Sequence, residues 1–479
     1  MLVSATLVAL GATLAAAVPT LEVRGPYFIN PKTGNRFQVV GMAYQPGGSA
    51  GYDEDLGKDP LSDPDACLRD AALMQVLGIN TIRVYNLNPN INHDECVSIF
   101  NAAGMYMLID VNSPQVAGSL TSHNPWESYY AEYLNRTFAV VEAFKNYPNT
   151  LAFFSGNEVL NNLDTGKTVP PYMRAVTRDI KNYVKRHSSR PIPVGYSAAD
   201  VREILFDTYN YFQCSLEDEE DDISRGDIFA LNSYSWCGDS SFTESTYDKL
   251  VEGLKDTADP IFFSEYGCNE PSPRIFTEVG SIYSADMWSV FSGGVVYEYT
   301  QEANNYGLVK LNDDGSAELL PDFVALREQY AKLNFDEIQG QKAPASSAKP
   351  PVCSQSLFTN KNFNSNFTLP VPPPGAEDII EKGVSPKPSG KLVDVKNFDV
   401  KFTVKNPDGS VVANLAVQPL ANDEINRPGL NNVSTTASST TGTPAAGAKD
   451  NEDAAPHAAA MVLPAVAMGA FAVMAGMAI

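Results

Sequence analysis

The sequence predicts an α/β protein built on a (β/α)8 TIM barrel, followed by a small β-rich appendage. Two observations predict this fold. Between residues 37 and 300, short β-branched or aromatic runs alternate with longer amphipathic runs, which is the pattern of repeated strand–helix units around a parallel sheet. Eight strand runs occur there, and eight parallel strands with helices between them close into a barrel of about 250 residues. We therefore assign residues 18–335 to a barrel domain.

The elements of the barrel follow one another along the chain. The predicted strands are residues 37–43, 80–85, 105–111, 151–155, 192–196, 228–233, 261–264 and 294–299. The helical patterns between them include residues 66–77, 94–103, 126–147, 172–186, 244–255 and 276–291. A helix of this kind buries one face against the sheet, and the spacing of its apolar residues reflects that.

Residues 336–430 have a different composition. Two Pro-rich loops, residues 341–351 and 370–388, precede an alternating stretch in which Phe398, Val400, Phe402 and Val404 lie two apart. A turn sequence at residues 406–409 and a second run at 411–417 complete a hairpin pattern. Because a single hairpin is marginally stable, we expect it to pack on the barrel or on further strands.

Residues 1–17 have the features of a secretory signal peptide. They are apolar and uncharged, and they end in Ala15-Ala16-Ala17, small residues suited to cleavage. The absence of Lys or Arg after Met1 departs from the usual pattern. A secreted protein forms its disulfides in an oxidising compartment.

The C-terminal end has the layout of a lipid-anchor signal. Residues 458–479 are apolar, a polar spacer precedes them, and a small triplet at residues 446–448 precedes the spacer. We expect residues 447–479 to be removed and Ala446 to carry a GPI anchor, with Gly447 and Asn451 as alternatives. A tail-anchored helix is the competing interpretation. Residues 431–446, rich in Ser, Thr, Ala and Gly, have the composition of a flexible stalk.

The charge balance excludes one class of partner. The chain has 34 Lys and Arg against 57 Asp and Glu, a net charge of −23, which opposes binding to nucleic acid. Only 4 His are present and no CxxC pair occurs, so we expect no metal site and no cofactor. The six cysteines allow 15 pairings, which sequence spacing cannot distinguish. The Asn-X-Ser/Thr motif at Asn135, Asn366 and Asn432 predicts N-glycosylation.

Two glutamates follow predicted barrel strands. Glu158 comes after the fourth strand and Glu265 after the seventh, at the strand ends that carry the reacting groups of TIM barrels. A single glutamate there is more often a helix cap or a solvated loop residue. Two carboxylates about 5 to 5.5 Å apart, however, are the machinery of a retaining glycosidase, one protonating the leaving oxygen and the other attacking the anomeric carbon.

A family resemblance supports this interpretation. From about residue 23 to residue 353, the chain resembles the fungal β-1,3-glucanosyltransferases of glycoside hydrolase family 72. The motifs that carry the resemblance are GMAYQPGG at residues 41–48, IRVY at 82–85, NE at 157–158, FALNSYSWC at 229–237, FSEYGC at 263–268 and VVYEY at 295–299.

The resemblance implies roles for particular residues. Glu158 is then the general acid/base and Glu265 the nucleophile, and the sugar-binding positions are Gln45, Tyr85, Asp110, Asn157, Tyr234 and Tyr297. Phe153 and Phe154 are expected to raise the pKa of the acid/base by limiting its solvation. A hydrogen bond from Tyr234 or Tyr297 is expected to keep the nucleophile ionised. Asn157 is placed to bind the 2-hydroxyl group of the sugar. For the tyrosines the alternative is barrel packing, and for Asp110 it is a structural hydrogen bond.

The resemblance also implies the disulfides Cys67–Cys96, Cys237–Cys268 and Cys214–Cys353. No cysteine follows Cys353, so the chain lacks the Cys-rich carbohydrate-binding module of longer family members. The acidic run at residues 217–222 is expected to be a solvated loop, with calcium binding as the alternative.

The expected activity is glucan transfer. The enzyme would cleave an internal β-1,3 linkage and join the new reducing end to the non-reducing end of a second β-1,3-glucan. It would act as a monomer at the outer face of the plasma membrane and in the cell wall. A hydrolytic β-1,3-glucanase and a non-catalytic wall-binding glycoprotein are the alternatives.

Overall fold

The computed structural model describes residues 17–113, 117–216, 222–345 and 348–431. Several sequence-based expectations fall outside these residues. They are the signal peptide up to residue 16, the acidic residues 217–221, the glycosylation motif at Asn432, and the stalk and anchor positions Ala446, Gly447 and Asn451.

The strands form three sheets. A small antiparallel sheet comes first, with β1 (Glu22–Arg24), β2 (Tyr27–Ile29) and β3 (Arg36–Phe37). The closed barrel then comprises β4 (Val39–Tyr44), β5 (Thr81–Val84), β6 (Tyr106–Asp110), β7 (Thr150–Asn157), β8 (Val194–Ala199), β9 (Ile228–Asn232), β10 (Ile261–Tyr266) and β11 (Phe291–Val296). All eight are parallel, and β11 pairs with β4 to close the ring. The predicted TIM barrel is confirmed. A last sheet contains β12 (Val309–Leu311), β13 (Ala317–Leu319) and β14 (Val404–Lys405).

Thirteen α-helices lie in the described part of the chain. They are α1 (Pro64–Leu77), α2 (Asp94–Ala102), α3 (Pro125–Ser128), α4 (Ala131–Phe144), α5 (Leu163–Gly166), α6 (Pro170–His187), α7 (Leu205–Gln213), α8 (Tyr247–Leu254), α9 (Glu278–Ile282), α10 (Ala285–Trp288), α11 (Pro321–Tyr330), α12 (Phe335–Gly340) and α13 (Ala376–Lys382).

The first and last barrel strands differ from their predicted ranges. Phe37 belongs to β3, where it pairs with Phe28, and the barrel strand begins at Val39. The last barrel strand begins at Phe291 and not at residue 294, because the strand runs through Gly293 and Gly294 without a break. A Cβ on Gly293 would lie 2.1 Å from the carbonyl oxygen of Val39, so β11 pairs too closely with β4 at this point for any larger residue.

Some predicted helices are interrupted. The pattern at residues 126–147 forms α3 and α4, which are separated by the extended residue Tyr130. The pattern at 276–291 forms the short helices α9 and α10, with Ser284 extended between them. Apolar spacing alone does not reveal such breaks, since both pieces bury the same face.

The core has two layers. One lies between the barrel and its helices and includes Phe153, Tyr196 and Phe263. The other fills the barrel interior, where Phe154 and Phe262 pack below the strand ends. Phe28 and Phe37, from the small first sheet, join this interior cluster and close the end of the barrel at which the strands begin.

The segment after the barrel lies against its side. Asp399 bridges to Ala416 and Lys405 to Val411, which forms a short, irregular hairpin. Through β14 the hairpin pairs with β13, and Lys401 contacts Asp65 at the start of α1. The disulfide Cys214–Cys353 joins this segment to the end of α7, and α13 packs on α4 and α6.

The end of the described chain lies at the closed end of the barrel. The amide of Asn426 donates to the carbonyl oxygen of Ile79, at the loop between α1 and β5. Pro428 packs against Gly78, where a Cβ would lie 2.3 Å from the proline ring. Close by, the N–H of Asp423 donates to the carbonyl oxygen of Ala17. Both described termini are therefore opposite the C-terminal ends of the barrel strands.

Candidate active site

Glu158 directly follows β7, the fourth strand of the barrel. Its backbone has a φ of 49°, in the left-handed region that non-glycine residues rarely adopt. Its N–H donates to the carbonyl oxygen of Ser197 over 2.9 Å, which holds this turn against β8. Its carboxyl Oε1 accepts a hydrogen bond of 2.8 Å from Nδ2 of Asn232. The side chain is half-buried, so one side of the carboxyl group remains accessible from the cleft.

Glu265 lies within β10, the seventh strand, and is only 8% exposed. Three donors hold its carboxylate. Oε1 accepts from Tyr85 at 2.9 Å and from Nη1 of Arg83 at 3.1 Å, and Oε2 accepts from Tyr234 at 2.7 Å. Burial raises the pKa of both phenols well above the usual value, so they stay protonated as donors. Both oxygens of Glu265 are therefore fixed in direction.

Arg83 lies at the centre of the site, and its side chain is fully buried. Two of its hydrogen bonds go to the two oxygens of Asp110, at 2.8 and 3.0 Å. Others reach Glu265, Asn157 and Asn232. The guanidinium also lies 4.8 Å from the ring centre of Phe154. Burial alone would lower its pKa, but the negative charge of Asp110 raises it.

Sequence reasoning did not include Arg83 among the functional residues. The available signal was an arginine inside a short apolar strand, since a buried guanidinium requires a paired carboxylate. Asn232, Ser197 and Ser264 were also missed. The Ser197 hydroxyl bonds to Asn157 and to Ser264, and Ser264 in turn donates to Asn232. These small polar residues link the strand ends between the two glutamates.

Asn157 is oriented by this network. Its Oδ1 accepts from Arg83 at 2.9 Å, from Ser197 at 2.8 Å and from Asn232 at 3.0 Å. Because three donors converge on the oxygen, the NH2 group is the part of the amide available to a ligand.

One open cleft contains both glutamates. Together with Glu158 and Glu265, it is lined by five of the six predicted sugar-binding residues, Gln45, Tyr85, Asp110, Asn157 and Tyr297. The sixth, Tyr234, bonds to the Glu265 carboxylate. Nε2 of Gln45 is buried without a hydrogen-bond partner, so it is a donor available to a bound molecule. Each oxygen of Asp110 accepts one hydrogen bond from Arg83.

The tyrosine rings form one wall. Tyr297 packs edge-on against Tyr234, with ring centres 6.3 Å apart, and against Tyr306 at 5.4 Å. The hydrogen bonds to Glu265 come from Tyr85 and Tyr234, not from Tyr297. Cys237–Cys268 joins the loops after β9 and β10, and so braces the loop that carries Tyr234.

The ionisation of Glu265 differs from the expectation. Burial raises its pKa to about 7, and the negative charge of Glu158 adds to this, although Arg83, Tyr234 and Tyr85 all lower it. The two phenylalanines expected near Glu158 also lie elsewhere. Phe153 faces the helix layer and Phe154 lies in the barrel interior, because successive strand residues point to opposite sides.

The three disulfides, Cys67–Cys96, Cys214–Cys353 and Cys237–Cys268, are the pairs that the resemblance implies. Asn366 is exposed and Asn135 is half-buried on α4. Among the described residues, no group of three or more His, Cys, Asp or Glu side chains is arranged to hold a metal ion. Within the same residues, no helix has the length and apolar character needed to cross a membrane.

A barrel that presents a glutamate from its fourth strand and another from its seventh in one cleft has the arrangement of a glycoside-cleaving enzyme. Comparison with known proteins defines the class further. The family described as Glucanosyltransferase matches residues 10–334. The chain belongs to this family, glycoside hydrolase family 72.

Individual relatives agree with this assignment. The chain is 54% identical to 1,3-beta-glucanosyltransferase gel2 of Aspergillus fumigatus, over 89% of this chain and 88% of the relative. It is 45% identical to the probable 1,3-beta-glucanosyltransferase GAS3 of Saccharomyces cerevisiae, over 84% and 80%. A solved structure of a Glu→Gln variant of S. cerevisiae Gas2p, in complex with laminaritetraose and laminaripentaose, is 34% identical. It has a TM-score of 0.64 and covers 74% of this chain and 75% of that one.

Proposed function

We propose that this enzyme is a retaining β-1,3-glucanosyltransferase in which Glu265 is the nucleophile and Glu158 the general acid/base. The observation that carries the proposal is the contrast between the two carboxyl groups in one cleft. Glu265 is buried and held by three donors, whereas Glu158 is half-buried and bonds to Asn232. A nucleophile must be fixed in line with the anomeric carbon, and an acid/base must remain accessible to the entering and leaving hydroxyl groups.

The first half of the reaction breaks the glucan. An oxygen of Glu265 attacks the anomeric carbon of an internal unit and forms a glycosyl ester, while Glu158 gives its proton to the departing 3-oxygen. The fragment that carries the old reducing end leaves with that proton. Glu265 loses its negative charge when the ester forms. Arg83, Tyr85 and Tyr234 then keep the ester carboxyl group oriented for the second step.

The second half makes a new linkage. The 3-hydroxyl at the non-reducing end of another glucan enters, Glu158 takes its proton, and the oxygen displaces Glu265 from the anomeric carbon. One β-1,3 bond has been broken and one formed, so the acceptor is elongated without any cofactor. The relatives carry glucanosyltransferase names and the Gas2p structure contains laminari-oligosaccharides, which supports a β-1,3-glucan as donor and acceptor.

The cleft residues receive the sugar. The unpaired Nε2 of Gln45 and the NH2 group of Asn157 are donors to hydroxyl groups, Asn157 to the 2-hydroxyl. Tyr297 and Tyr234 offer ring surfaces to the sugar. The hydroxyl of Tyr85 lies beside the reacting carbon, because it bonds to the Glu265 carboxylate that attacks this carbon. Asp110 acts by holding Arg83 in place.

Transfer is distinguished from its alternatives by the products. Incubation with a short laminari-oligosaccharide is expected to give products longer than the input. A hydrolytic glucanase would give only shorter ones, and a non-catalytic wall-binding glycoprotein would leave the input unchanged.

The roles of the glutamates are tested by isosteric substitution. Glu265→Gln and Glu158→Gln are each expected to lower turnover at least about 1,000-fold, equivalent to about 4 kcal/mol of transition-state stabilisation. Glu252→Gln, on the exposed face of α8, is the matched control and should behave as wild type. Undiminished turnover of Glu265→Gln would refute the nucleophile assignment.

The location is proposed from the sequence. A signal peptide at residues 1–17 and an anchor at Ala446 place a monomeric enzyme at the outer face of the plasma membrane and in the cell wall, where glucan is assembled. Glycans are proposed at Asn135, Asn366 and Asn432. Mass spectrometry of the mature protein tests the trimmed ends, the lipid and the glycans together.

A further inference from the structure

Trp126 is exposed although tryptophan is usually well buried. It lies on α3, and 51% of its surface is accessible. Tyr172, at the start of α6, is its aromatic neighbour, with ring centres 6.5 Å apart and planes inclined by 56°. Tyr129 packs edge-on against Tyr172 at 6.1 Å and donates its hydroxyl to the buried Asp179. We name Trp126 and Tyr172 the rim pair. Its Tyr172 ring is held in place by Tyr129.

The rim pair lies close in the chain to residues that line the catalytic cleft. Leu120 lines the cleft, and the next residue, Thr121, donates its N–H to Oγ of Ser128 at the end of α3. On the other side, Met173 also lines the cleft and directly follows Tyr172. Both loops leave the C-terminal ends of neighbouring strands, β6 and β7. The rim pair therefore lies at the same end of the barrel as Glu158, which follows β7.

The chemistry around the rim pair suits a neutral, hydroxyl-rich ligand. The rings offer flat apolar surface, and the adjacent Asn124 and Glu127, which bond to each other at 3.3 Å, offer polar groups that hydroxyls can engage. A β-linked glucose unit carries its hydroxyls around the ring edge and presents C–H groups on its faces, which pack on aromatic rings. The net charge of −23 disfavours an anionic ligand.

We propose that the rim pair is an outer sugar-binding site, on which glucose units of the glucan beyond those in the cleft stack. The proposal rests on the proposed function, since it extends the same glucan chain past the catalytic centre. A chain too short to reach from the glutamates to the rim pair gains nothing from it, whereas a longer chain gains affinity. The site therefore favours long glucans.

The kinetic test compares chain lengths. Trp126→Ala is expected to raise KM for laminariheptaose and longer chains about 10-fold, which corresponds to about 1.4 kcal/mol. Its kcat should be unchanged, as should both constants for laminaritriose. Trp126→Phe keeps a flat ring and should restore most of the loss. Val411→Ala, which shortens another exposed apolar side chain on the hairpin beside β13, is the matched control.

A binding test separates this proposal from the assignment of the glutamates. Trp126 is the most exposed of the three tryptophans, since Trp236 is 6% exposed and Trp288 is half-buried. Titrating the Glu265→Gln enzyme with laminariheptaose should change its tryptophan fluorescence, and Trp126→Ala in that background should remove most of the change and weaken binding. These readouts measure binding and not turnover, so they test the rim pair separately from the catalytic roles of the glutamates.

Two results would overturn the rim pair as a sugar site. One is an equal change of KM for laminaritriose and laminariheptaose in Trp126→Ala. The other is unchanged laminariheptaose binding by that variant, which would leave the exposed ring to another partner, such as a protein or a lipid surface.

Discussion

The hydrogen bond from Tyr234 lowers the pKa of Glu265, so we expect it to extend the activity of the enzyme to lower pH. The two groups are 2.7 Å apart, and a hydrogen bond to a charged group contributes about 1.5–3 kcal/mol. This hydrogen bond stabilises the ionised carboxylate more than the protonated acid. At 1.36 kcal/mol per pKa unit, Tyr234→Phe should raise the pKa of Glu265 by about 1–2 units, from the value of about 7 that burial imposes.

The assay is the pH profile of kcat/KM, which reports the free enzyme. Glu265 must be ionised to attack, so activity falls as pH drops through its pKa. In Tyr234→Phe this acidic limb should move to higher pH by about 1–2 units. The variant is therefore about 10- to 100-fold less active than wild type at low pH and recovers toward it at high pH.

Tyr306→Phe is the control. The ring of Tyr306 packs against Tyr234, but among the described residues its hydroxyl makes no hydrogen bond to Glu265. Its acidic limb should coincide with that of wild type. If Tyr234→Phe loses activity by the same factor at every pH, Tyr234 acts on the substrate and not on the ionisation of Glu265, and the reasoning fails.

Three further predictions concern stability and the centre of the site. The Arg83 guanidinium makes six hydrogen bonds, whereas the ammonium group of Arg83→Lys can make only three. Because buried acceptors are then left unpaired, the substitution should lower the free energy of unfolding by about 3–5 kcal/mol, measured as a lower Tm, and should also lower kcat. Cys353→Ser opens a disulfide that spans 139 residues and should lower stability by about 2–5 kcal/mol in denaturant titrations, whereas the barrel circular dichroism signal should persist. Asp259, Glu278 and Glu298 have pKa values raised by burial to about 7, 7 and 8, so between about pH 4.5 and 8 the folded state binds more protons than the unfolded state. Stability should therefore fall as pH rises through this range, and a Tm that is higher at pH 8 than at pH 5 would contradict it.

The barrel could be predicted because its information is local. Each strand is a short apolar run and each amphipathic helix has its own spacing, so eight repeats were visible in the sequence. The error at the last barrel strand has a long-range cause. Gly293 and Gly294 resemble a helix end, and only the folded barrel shows why glycine is needed there: Gly293 has a positive φ and lies against Val39 of β4, and Gly294 lies against Phe263 and Tyr266 of β10.

The site was predicted less evenly. Both glutamates lie at the C-terminal ends of apolar strands, Glu158 just after β7 and Glu265 within β10, so their place at the mouth of a barrel follows from topology. Arg83 was missed because its role depends on hydrogen-bond partners on four other strands, among them Asp110 and Asn157. The spacing of these residues in the sequence does not show that they meet in the fold. The pKa of Glu265 could not be predicted either, since it depends on how completely the folded chain excludes water.

The two ends of the described chain, Ala17 and residue 431, lie at the floor of the barrel, beside the loops that carry Gly78 and Ile79. A tether that starts beyond residue 431 would hold the enzyme from beneath. The cleft would then point outward, away from the surface to which the tether is fixed and toward any polymer lying above it. The attachment point of the tether would then determine which way the cleft faces, without any contact between the catalytic groups and that surface.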